Sequence, residues 1–398
     1  MSCFDQIKLL PEDPIMHLPI LFAADKNPNK VNLGIGSYKN ESSQPVVFSS
    51  VQKAEKLLAE KKLNKEYPPI EGNAQFNQSS LKLIFGDTLP QLSENLFAEQ
   101  TVGGTSALRV AGEFLARNCS KEIFIPDPTW ANHKLIFPYA NMQINNYPYY
   151  DSKSHGIDFS AMLKAIGQME KNSVILLHGS CHNPTGVDPT QEQWRELSNQ
   201  IKKHRIIPLF DLAYQGFGEG LEEDAFAVRL FAKEGHEMFV ASSNAKNFGL
   251  YGERVGMLTA ISHHSDAMKK IRSHLKQTAR SCYSVPPIHG ARIVETILAS
   301  TELTNEWKQE LDDIRRRIKN TRDSLVSGLK RLNSNRDFSF LTKQLGLFSY
   351  TGLTAGQVDF LRHRHGIYLA ENGRINIAGL NPNNIEYVVH AVIEALSV

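Results

Sequence analysis

The sequence predicts an α/β protein in which a mostly parallel, doubly wound sheet forms a large domain and a smaller α+β domain follows. Three observations lead to this fold class. Short apolar runs alternate with amphipathic helical stretches through the middle of the chain, as in repeated strand–helix–strand units. The runs are apolar at consecutive positions. A long helical stretch then leads into a final segment that mixes strand and helix patterns.

Five runs of four to six residues, rich in Val, Ile, Leu and Phe, are predicted to be strands: residues 123–126, 173–177, 206–210, 238–242 and 255–260. A strand with one exposed face alternates polar and apolar residues, whereas a strand covered on both faces is apolar throughout. These runs therefore indicate a sheet with helices on both sides.

Helices are predicted between these strands, for example at residues 191–203 and 225–234. Between Leu303 and Leu332, apolar residues recur mainly at three- and four-residue steps, which predicts one long helix with a single apolar stripe. We expect an N-terminal arm over residues 1–45 that packs with the small domain, a large domain over 46–312 and a small C-terminal domain over 313–398.

Composition narrows the class of function. The chain has 398 residues and a net charge of +2, which disfavours a nucleic-acid-binding or polybasic membrane protein. It has neither an apolar run of the ~20 residues that a membrane span needs nor a secretory signal pattern. Its four cysteines are scattered without a CxxC pair, as in proteins of the reducing cytosol. We expect a cytoplasmic enzyme.

Chemically reactive side chains follow the predicted strands at the point where each strand ends. In open α/β sheets, ligands bind beyond the carboxyl ends of the strands. The segments at these positions are HGSCHNPTG at 178–186, DLAY at 211–214 and SNAK at 243–246, while GGTS at 103–106 precedes a helix.

The glycine segment at 103–106 can bind an anion, because backbone N–H groups at a helix N-terminus favour negative charge. It lacks the GKS or GKT of a nucleotide-binding loop and is not GxGxxG, so no dinucleotide is implied. An ordinary capped helix is the alternative interpretation.

Lys246 and Asp211 form the second part of the hypothesis. A lysine beyond a buried strand loses proton affinity by desolvation and beside a cation such as Arg254, and a neutral lysine can form a Schiff base with an aldehyde. A carboxylate at a strand end can keep a ring nitrogen protonated. The alternatives are a solvated lysine and a helix N-cap.

Three more side chains could contact a planar cofactor. Trp130 could stack on a ring, and Asn183 and Tyr214 could donate to a ring hydroxyl oxygen. Their alternatives are a core tryptophan, a turn residue before Pro184 and a buried tyrosine. We expect no metal site, since adjacent Cys181 and His182 cannot easily converge on one ion.

The motifs together resemble those of the aspartate and aromatic aminotransferases, which are fold-type I pyridoxal phosphate enzymes. The resemblance rests on GGTSALR at 103–109, HNPTG at 182–186, DLAYQGF at 211–217, SSNAKNFGLYGERVG at 242–256 and GRINIAG at 373–379. NLGIGSYK at 32–39 and YPPIEG at 67–72 extend it over nearly the whole chain. It implies a pyridoxal phosphate cofactor and a homodimer whose active sites lie between the subunits.

The resemblance also implies roles for individual residues. Lys246 would be the Schiff-base lysine and the base that moves the substrate proton. Asp211 would pair with the ring nitrogen, supported by His133, and Asn183 and Tyr214 would hold the phenolic oxygen. Trp130 would stack on the ring. The phosphate would be held by Gly104, Thr105, Ser243, Arg254 and Tyr67 of the partner subunit.

For the substrate, the resemblance implies two arginines. Arg374 would bind the α-carboxylate, since a guanidinium matches a carboxylate bidentately, and Gly34 would lie along the substrate. Arg280, contributed by the partner subunit, would bind the distal carboxylate of dicarboxylic substrates. In family members of dual specificity this arginine swings aside for an aromatic ring.

Departures from the family pattern bear on the substrate. Val285 makes the side-chain pocket more apolar, Ser37 replaces a usual aliphatic residue, and Ala245 replaces a serine before the lysine. GLYGERVG and GLFSYTGL at 346–353 resemble the tyrosine and aromatic branch more closely. We expect transfer of the amino group of aromatic amino acids, aspartate or both to 2-oxoglutarate. The alternatives are an aspartate-specific enzyme, a β-lyase or decarboxylase, and a binding module without activity.

Overall fold

A computed structural model describes the chain at residues 2–10, 12–13, 15–92, 94–332 and 336–398. Strands are numbered in chain order: β1 (Val31–Asn32), β2 (Leu96–Val102), β3 (Glu122–Asp127), β4 (Gln143–Pro148), β5 (Tyr150–Asp151), β6 (Gly156–Ile157), β7 (Val174–His178), β8 (Ile207–Leu212), β9 (Met238–Ser243), β10 (Val255–Ile261), β11 (Phe348–Tyr350), β12 (Ile367–Tyr368) and β13 (Arg374–Asn376).

The α-helices are numbered in the same way: α1 (Leu18–Ala24), α2 (Ser49–Glu60), α3 (Ala74–Phe85), α4 (Leu89–Leu92), α5 (Gly103–Asn118), α6 (His133–Tyr139), α7 (Phe159–Ile166), α8 (Gln191–His204), α9 (Phe226–Lys233), α10 (Ser265–Cys282), α11 (His289–Ala299), α12 (Thr301–Arg331), α13 (Ala355–His365) and α14 (Ile385–Ala395). Short 3₁₀ turns cover Cys3–Gln6, Gly86–Thr88, Glu223–Ala225, Ser339–Lys343 and Ile377–Gly379.

The central sheet has seven strands in the order β2-β10-β9-β8-β7-β3-β4. Strand β10 runs antiparallel to β2 and β9, and the remaining neighbouring pairs are parallel. The predicted mostly parallel α/β fold is confirmed. All five strands predicted from apolar runs are present, and each end lies within two residues of its predicted position.

Both faces of the sheet are covered, as the uninterrupted apolar runs required. In β7, Val174 and Leu176 belong to one buried cluster, together with residues of α5 and α10. Ile175 and Leu177 belong to a second cluster on the opposite face, which includes residues of α8, α11 and α12. Successive side chains of a strand point to opposite faces, so an apolar strand joins two cores.

The apolar-run criterion missed the two edge strands. Strand β2 (LFAEQTV) carries Glu99, Gln100 and Thr101, and β4 (QINNYP) is largely polar. Each of these strands has a neighbour in the sheet on one side only. Edge strands need less apolar surface, so their sequences carry a weaker signal.

Helix α12 spans 31 residues as one continuous helix, close to the predicted range. Its buried stripe packs against α2, α11 and α14: Leu303, Trp307, Leu311, Ile314, Ile318, Leu325 and Leu329. At 1.5 Å per residue the helix is about 46 Å long, which lets it contact both the large sheet and the C-terminal segment.

The C-terminal segment contains two small pairs of strands. Strands β11 and β13 pair antiparallel, and β12 pairs in parallel with β1 from the N-terminal region, with Val31 opposite Ile367. This second pairing ties the N-terminal arm to the C-terminal segment. Within the described residues, no helix is both long enough and apolar enough to cross a membrane.

Strand direction brings the functional segments to one edge of the sheet. Strands β2, β3, β7, β8 and β9 end at this edge. Because β10 is antiparallel, it begins there, with Val255 opposite Val102. Side chains that follow five strands and precede a sixth therefore meet at one place.

Glu99 on β2 is a carboxylic acid within the core. Its side chain is 0% exposed, and neither carboxyl oxygen has a hydrogen-bond partner among the described residues. Burial and, to a smaller extent, the charge of Glu71 raise the pKa of Glu99 to about 8, although Lys276 opposes the shift. The protonated acid is therefore the form that the folded protein accommodates.

We predict that Glu99→Gln stabilises the protein increasingly as the pH rises. The folded-state pKa of Glu99 lies above its ordinary value of 4.5, so the folded protein binds the proton more tightly than the unfolded chain. The stabilisation that this gives the wild type is present below pH 4.5 and is lost as the pH rises to about 8. Thermal unfolding should show the Tm advantage of the variant widening by at least about 2 °C from pH 5 to pH 8.

Glu196→Gln, at an exposed position on α8, is the matched control and should show no such trend. A constant Tm difference between wild type and Glu99→Gln over this pH range would contradict the assignment.

Candidate active site

A cavity of about 220 Å³ opens at the edge of the sheet where the strand ends meet. It brings together ten of the residues that the sequence singled out: Gly104, Thr105, Trp130, Asn183, Asp211, Tyr214, Ser243, Lys246, Arg254 and Arg374. These residues span 271 positions of the sequence, so only the tertiary fold makes them neighbours.

Lys246 lies three residues beyond the end of β9, in a short loop that α12 supports. The indole Nε1 of Trp307 donates to the carbonyl oxygen of Asn247 at 2.6 Å, and its rings stack on Phe248 with centroids 4.4 Å apart. The Nζ of Lys246 lies 4.4 Å from the ring centroid of Tyr214. The packed Trp307–Phe248 pair therefore fixes the backbone on the far side of the reactive amine.

Desolvation in the cavity lowers the pKa of Lys246 to about 8, although the charge of Asp211 raises it, and Arg254 adds to the lowering. The neutral form of Lys246 is therefore far more populated at neutral pH than that of a lysine with the ordinary pKa of 10.5. Only the neutral amine is a nucleophile and a base.

Asp211 near the end of β8 is buried but ionised. Burial raises the pKa of its carboxyl, but the hydrogen bond from His133 and the nearby positive charges outweigh this effect and lower the pKa overall. The distance from His133 Nε2 to Asp211 Oδ2 is 3.1 Å. The carboxylate therefore remains available as a negatively charged partner for a cation in the cavity.

A chain of hydrogen bonds determines which ring nitrogen of His178 and of His133 carries a proton. The backbone N–H of Asn183 donates to Nδ1 of His178 at 3.2 Å, so His178 carries its proton on Nε2 and donates to Thr129 Oγ1, also at 3.2 Å. The Thr129 hydroxyl then donates to Nδ1 of His133 at 2.8 Å, which leaves the Nε2 proton for Asp211. Burial lowers the pKa of His178 to about 3, and the charge of His133 adds to this effect.

The same three groups, His133, His178 and Asp211, place their ligand atoms within 4.8 Å of one another. In this arrangement the ring nitrogens already serve as donors or acceptors in the hydrogen-bond chain. The cluster therefore acts as the support of the Asp211 carboxylate.

The anion-binding part of the cavity is built around the start of α5. Gly103 has φ +72°, and a Cβ at this position would lie 2.6 Å from Nη2 of Arg254. Glycine therefore allows the guanidinium to lie against the loop, where the N-terminal end of α5 also favours negative charge. Arg254 is held by a hydrogen bond from Nη1 to the carbonyl oxygen of Tyr251 at 3.0 Å.

Arg374 is the buried cation on the opposite side of the cavity. Its Nη1 donates to Asn183 Oδ1 at 3.2 Å, its Nη2 donates to the carbonyl oxygen of Gly34 at 2.7 Å, and its Cζ lies 4.1 Å from the ring centroid of Phe348. Its Nε is buried and has no hydrogen-bond partner among the described residues. A buried guanidinium with an unused donor is suited to bind a carboxylate.

Four residues from the sequence-based set lie outside the cavity lining: His133, which bonds Asp211 from behind, and Gly34, Tyr67 and Arg280. Gly34 accepts the Arg374 hydrogen bond, and a Cβ there would meet Leu18 Cδ1 at 2.4 Å rather than the cavity. Tyr67 is 82% exposed, and Arg280 is exposed and donates to Ser284 Oγ. The single chain therefore does not bring Tyr67 and Arg280 to its own cavity.

Sequence reasoning missed several residues that the fold places at the site. Phe348 and Tyr251 line the cavity, and Arg322 on α12 supports the loop before Phe348. Arg322 Nη2 donates to the carbonyl oxygen of Gly346 at 2.6 Å, and its Nε donates to Ser349 Oγ at 3.0 Å. Tyr251 stands inside the motif at 242–256, so its position was visible; Phe348 carries no local signal of its contact with Arg374.

Comparison with known proteins identifies relatives over nearly the full chain. The family model Aminotransferase class I and II matches residues 28–392. Over 395 residues the chain is 44% identical to the aspartate aminotransferase of Escherichia coli (strain K12), a match that covers 99% of this chain and 100% of that protein.

Two solved structures are similar over almost every residue. An aromatic-amino-acid aminotransferase from Burkholderia pseudomallei, covalently bound to pyridoxal phosphate, has a TM-score of 0.97 and 44% identity and covers 100% of both chains. A psychrophilic aromatic amino acid aminotransferase from Psychrobacter sp. B6, cocrystallised with aspartic acid, has a TM-score of 0.96 and 40% identity, covering 99% of this chain and 100% of that one.

The electrostatics of the cavity predict how Lys246 titrates. In cofactor-free protein, competitive labelling of lysines followed by peptide mass spectrometry should give Lys246 a midpoint near pH 8, well below the ordinary lysine value of 10.5. Asp211→Asn should shift this midpoint to lower pH, because the Asp211 charge raises the pKa of Lys246. Arg254→Met should shift it to higher pH. A Lys246 midpoint at the ordinary lysine value of 10.5 would show that the amine is not desolvated as described.

Proposed function

Since the chain belongs to the class I and II aminotransferase family and is a pyridoxal-phosphate-dependent transaminase, we propose that it transfers the amino group of aromatic amino acids, aspartate or both to 2-oxoglutarate. The transfer would follow a ping-pong scheme, in which the amino acid donor leaves as its oxo acid before the acceptor enters. The observation that carries the proposal is the buried, incompletely bonded Arg374 in the cavity that also holds Lys246 and Asp211.

The residues of the cavity fit the cofactor. Gly104, Thr105, Ser243 and Arg254 offer donors and positive charge for a phosphate, and Lys246 offers an amine for an aldehyde. Asp211, kept ionised by the hydrogen-bond chain through His133, suits a protonated ring nitrogen. The partly buried Trp130 can cover the ring face, and Asn183 and Tyr214 can donate to the phenolic oxygen.

Lys246 has the main catalytic role in the proposal. Bound pyridoxal phosphate would supply an aldehyde that condenses with amines and a protonated ring that accepts electrons. Lys246 would then move a proton between the substrate Cα and the aldehyde carbon of the cofactor, which is the shift that converts an amino acid into an oxo acid. Its lowered pKa suits this role, because a base is most effective when its pKa lies near the working pH.

Arg374 and its neighbours orient the amino acid. The free Nε and the Nη groups of Arg374 can bind the α-carboxylate, while Phe348 and Asn183 hold the guanidinium in place. Burial lowers the pKa of Arg374 to about 10, so it remains cationic at working pH. Fixing the carboxylate in this way would present the Cα proton to Lys246.

A homodimer would complete the site. Tyr67 and Arg280 project from the surface of the chain, and the N-terminal arm exposes several large apolar side chains: Phe4, Ile7, Leu9 and Leu10. Leu9 is 98% exposed, although burial of such a side chain contributes about 2 kcal/mol. These features support a second copy that covers the arm and receives Tyr67 for the cofactor phosphate and Arg280 for a distal carboxylate.

Two features of the residues around Arg280 support the proposed donor range. An apolar Val285 near Arg280 and the exposure of Arg280 on a helix end both favour a side-chain pocket that accepts aspartate and an aromatic ring. An aspartate-specific enzyme is the second candidate, since the E. coli relative carries that name. Two carboxylate-binding arginines argue against a β-lyase or decarboxylase.

We further propose the division into an arm (residues 1–45), a large cofactor-binding domain (46–312) and a small domain (313–398), with α12 continuous across the last boundary. The four cysteines are free, which is compatible with a cytoplasmic location. No role in binding nucleic acid is proposed.

Steady-state kinetics with aspartate and phenylalanine, each with 2-oxoglutarate, test the function. We expect turnover of both donors. Arg280→Leu should lower kcat/KM for aspartate by about 10²-fold and leave phenylalanine nearly unchanged, because only aspartate has a distal carboxylate. Arg374→Leu should lower kcat/KM for both donors by about 10²-fold or more. Arg195→Leu, at an exposed position on α8, is the control.

Turnover of aspartate alone would select the aspartate-specific alternative. Release of an oxo acid from the donor without any acceptor, continuing beyond one equivalent, would replace transamination with lysis.

Deletion of residues 2–10 should weaken the dimer, since it removes the exposed apolar side chains of the arm. Sedimentation equilibrium should show a dimer dissociation constant at least about tenfold higher than that of the wild type. Leu57→Ser, which changes an exposed leucine outside the arm, should leave the constant unchanged. A wild-type protein that sediments as a monomer would disprove the shared site.

A further inference from the structure

We propose that Gln100 is a positioning residue that fixes two surface segments relative to each other: residues 67–73, which carry Tyr67, and residues 280–287, which carry Arg280. The inference rests on the proposed function, in which both segments complete the active site of the partner subunit. The structure assigns this role to Gln100 because its polar groups bind both segments at once.

All four polar groups of Gln100 contribute. Its side-chain Oε1 accepts from the backbone N–H of Asn73 at 3.0 Å, and its backbone N–H donates to the carbonyl oxygen of Glu71 at 2.9 Å. Its Nε2 donates to the carbonyl oxygen of Pro287 at 2.6 Å, and its backbone oxygen accepts from the hydroxyl of Tyr283 at 3.4 Å. Two bonds therefore go to each segment.

The position of Gln100 in the sheet explains this arrangement. Strand β2 is an edge strand, and the backbone groups of Gln100 bond outward to the two segments rather than to β10. The Gln100 side chain is 0% exposed. A buried amide without partners is costly, so the three elements hold each other in one arrangement.

Gly72 shows how closely the first segment approaches. Its φ is +79°, and a Cβ at this position would lie 2.4 Å from Gln100 Cβ and 3.0 Å from Pro286 Cγ. The first segment is thus wedged between Gln100 and the second segment. Any residue with a side chain at position 72 would separate the three elements.

The first segment also makes ion pairs with α10, the helix that leads into the second segment, but these pairs are weaker. Glu71 pairs with Arg272 at 3.2 Å and with Lys276 at 2.7 Å, and both cations lie on α10. Arg272 is 59% exposed and Lys276 33% exposed, so these ion pairs are screened by solvent. Gln100 is the buried link between the segments.

The consequence concerns the geometry of the dimer. The carboxyl end of β2 leads directly into the phosphate-binding loop at Gly103 and Gly104. In the proposed dimer, β2 therefore positions the phosphate site of its own subunit. Through Gln100 it also positions Tyr67 and Arg280, which its subunit supplies to the active site of the partner. Gln100 contacts neither site itself, so it acts only by position.

The first test is hydrogen–deuterium exchange on Gln100→Met, which keeps the length of the side chain and removes its hydrogen bonds. Backbone amides in residues 67–73 and 283–287 should exchange at least about tenfold faster, because both segments lose buried partners. Glu196→Gln, at an exposed position on α8 remote from both segments, should leave both unchanged. Unchanged exchange in both segments of Gln100→Met would overturn the proposal.

The second test is a comparison of half-reactions with aspartate and phenylalanine, each without an acceptor. Gln100→Met should raise the apparent dissociation constant for aspartate about tenfold and that for phenylalanine less than about twofold, because only aspartate uses Arg280. A parallel loss for both donors would indicate general destabilisation and contradict a positioning role.

Gln100→Asn is a second variant in case the methionine variant folds poorly. Its amide stays neutral but is one methylene shorter, so it cannot reach both the N–H of Asn73 and the carbonyl oxygen of Pro287. Exchange should therefore increase in at least one of the two segments, residues 67–73 and 283–287. Unchanged exchange in both segments would overturn the proposal.

Hybrid dimers separate this inference from the proposed function. In the first hybrid, one subunit carries Gln100→Met and the other carries Lys246→Ala. The only active site with a working lysine then receives Tyr67 and Arg280 from the subunit whose Gln100 is intact, so its donor preference should be native. In the second hybrid, a wild-type subunit pairs with a subunit that carries both Gln100→Met and Lys246→Ala. The working lysine of the wild-type subunit then receives Tyr67 and Arg280 from the subunit that lacks Gln100, so aspartate binding should be impaired. An effect that follows the subunit containing Lys246 would overturn action across the interface. Because exchange needs neither substrate nor hybrid, its result stands even if aspartate is not turned over.

Discussion

The parallel direction of the central strands is the constraint on which the site depends. Strands β2, β3, β7, β8 and β9 end at one edge, and antiparallel β10 returns Arg254 to the same edge. Residues far apart in sequence therefore become neighbours because their strands share one sheet edge. A reversal of one strand would carry its functional side chain to the opposite edge, at least the length of a strand away.

Burial and hydrogen bonding together determine which side chains in the cavity are charged. Asp211 stays ionised in a buried position because a chain of hydrogen bonds, directed by the backbone N–H of Asn183, presents a proton to it. The desolvation that would neutralise an isolated carboxyl also lowers the pKa of Lys246 to about 8. The amine and the acid thus have matched roles: one is available as a neutral base, and the other remains a fixed negative charge.

Arg280 and Tyr67 lie away from the cavity of their own chain, unlike Arg374. Arg374 is packed, hydrogen-bonded and directed into the cavity of its own subunit, whereas Tyr67 and Arg280 extend from the surface. In the proposed function, Arg374 binds the carboxylate common to all amino acids, and Arg280, which donates to Ser284 Oγ at the surface, contacts the variable side chain. A packed receptor for the constant group and an exposed one for the variable group would suit the broad donor range proposed above.

The sequence by itself determined the class of fold, the five apolar strands and the chemistry of the residues that follow them, because these depend on local composition and short spacing. It could not identify β2 and β4, whose polar edge sequences lack the buried-strand pattern. Only the tertiary structure decided that Phe348 supports Arg374, that Thr129 connects two histidines to Asp211, and that Gln100 joins two distant segments. These contacts depend on side-chain packing between segments remote in the chain, and no local pattern encodes the distance between them.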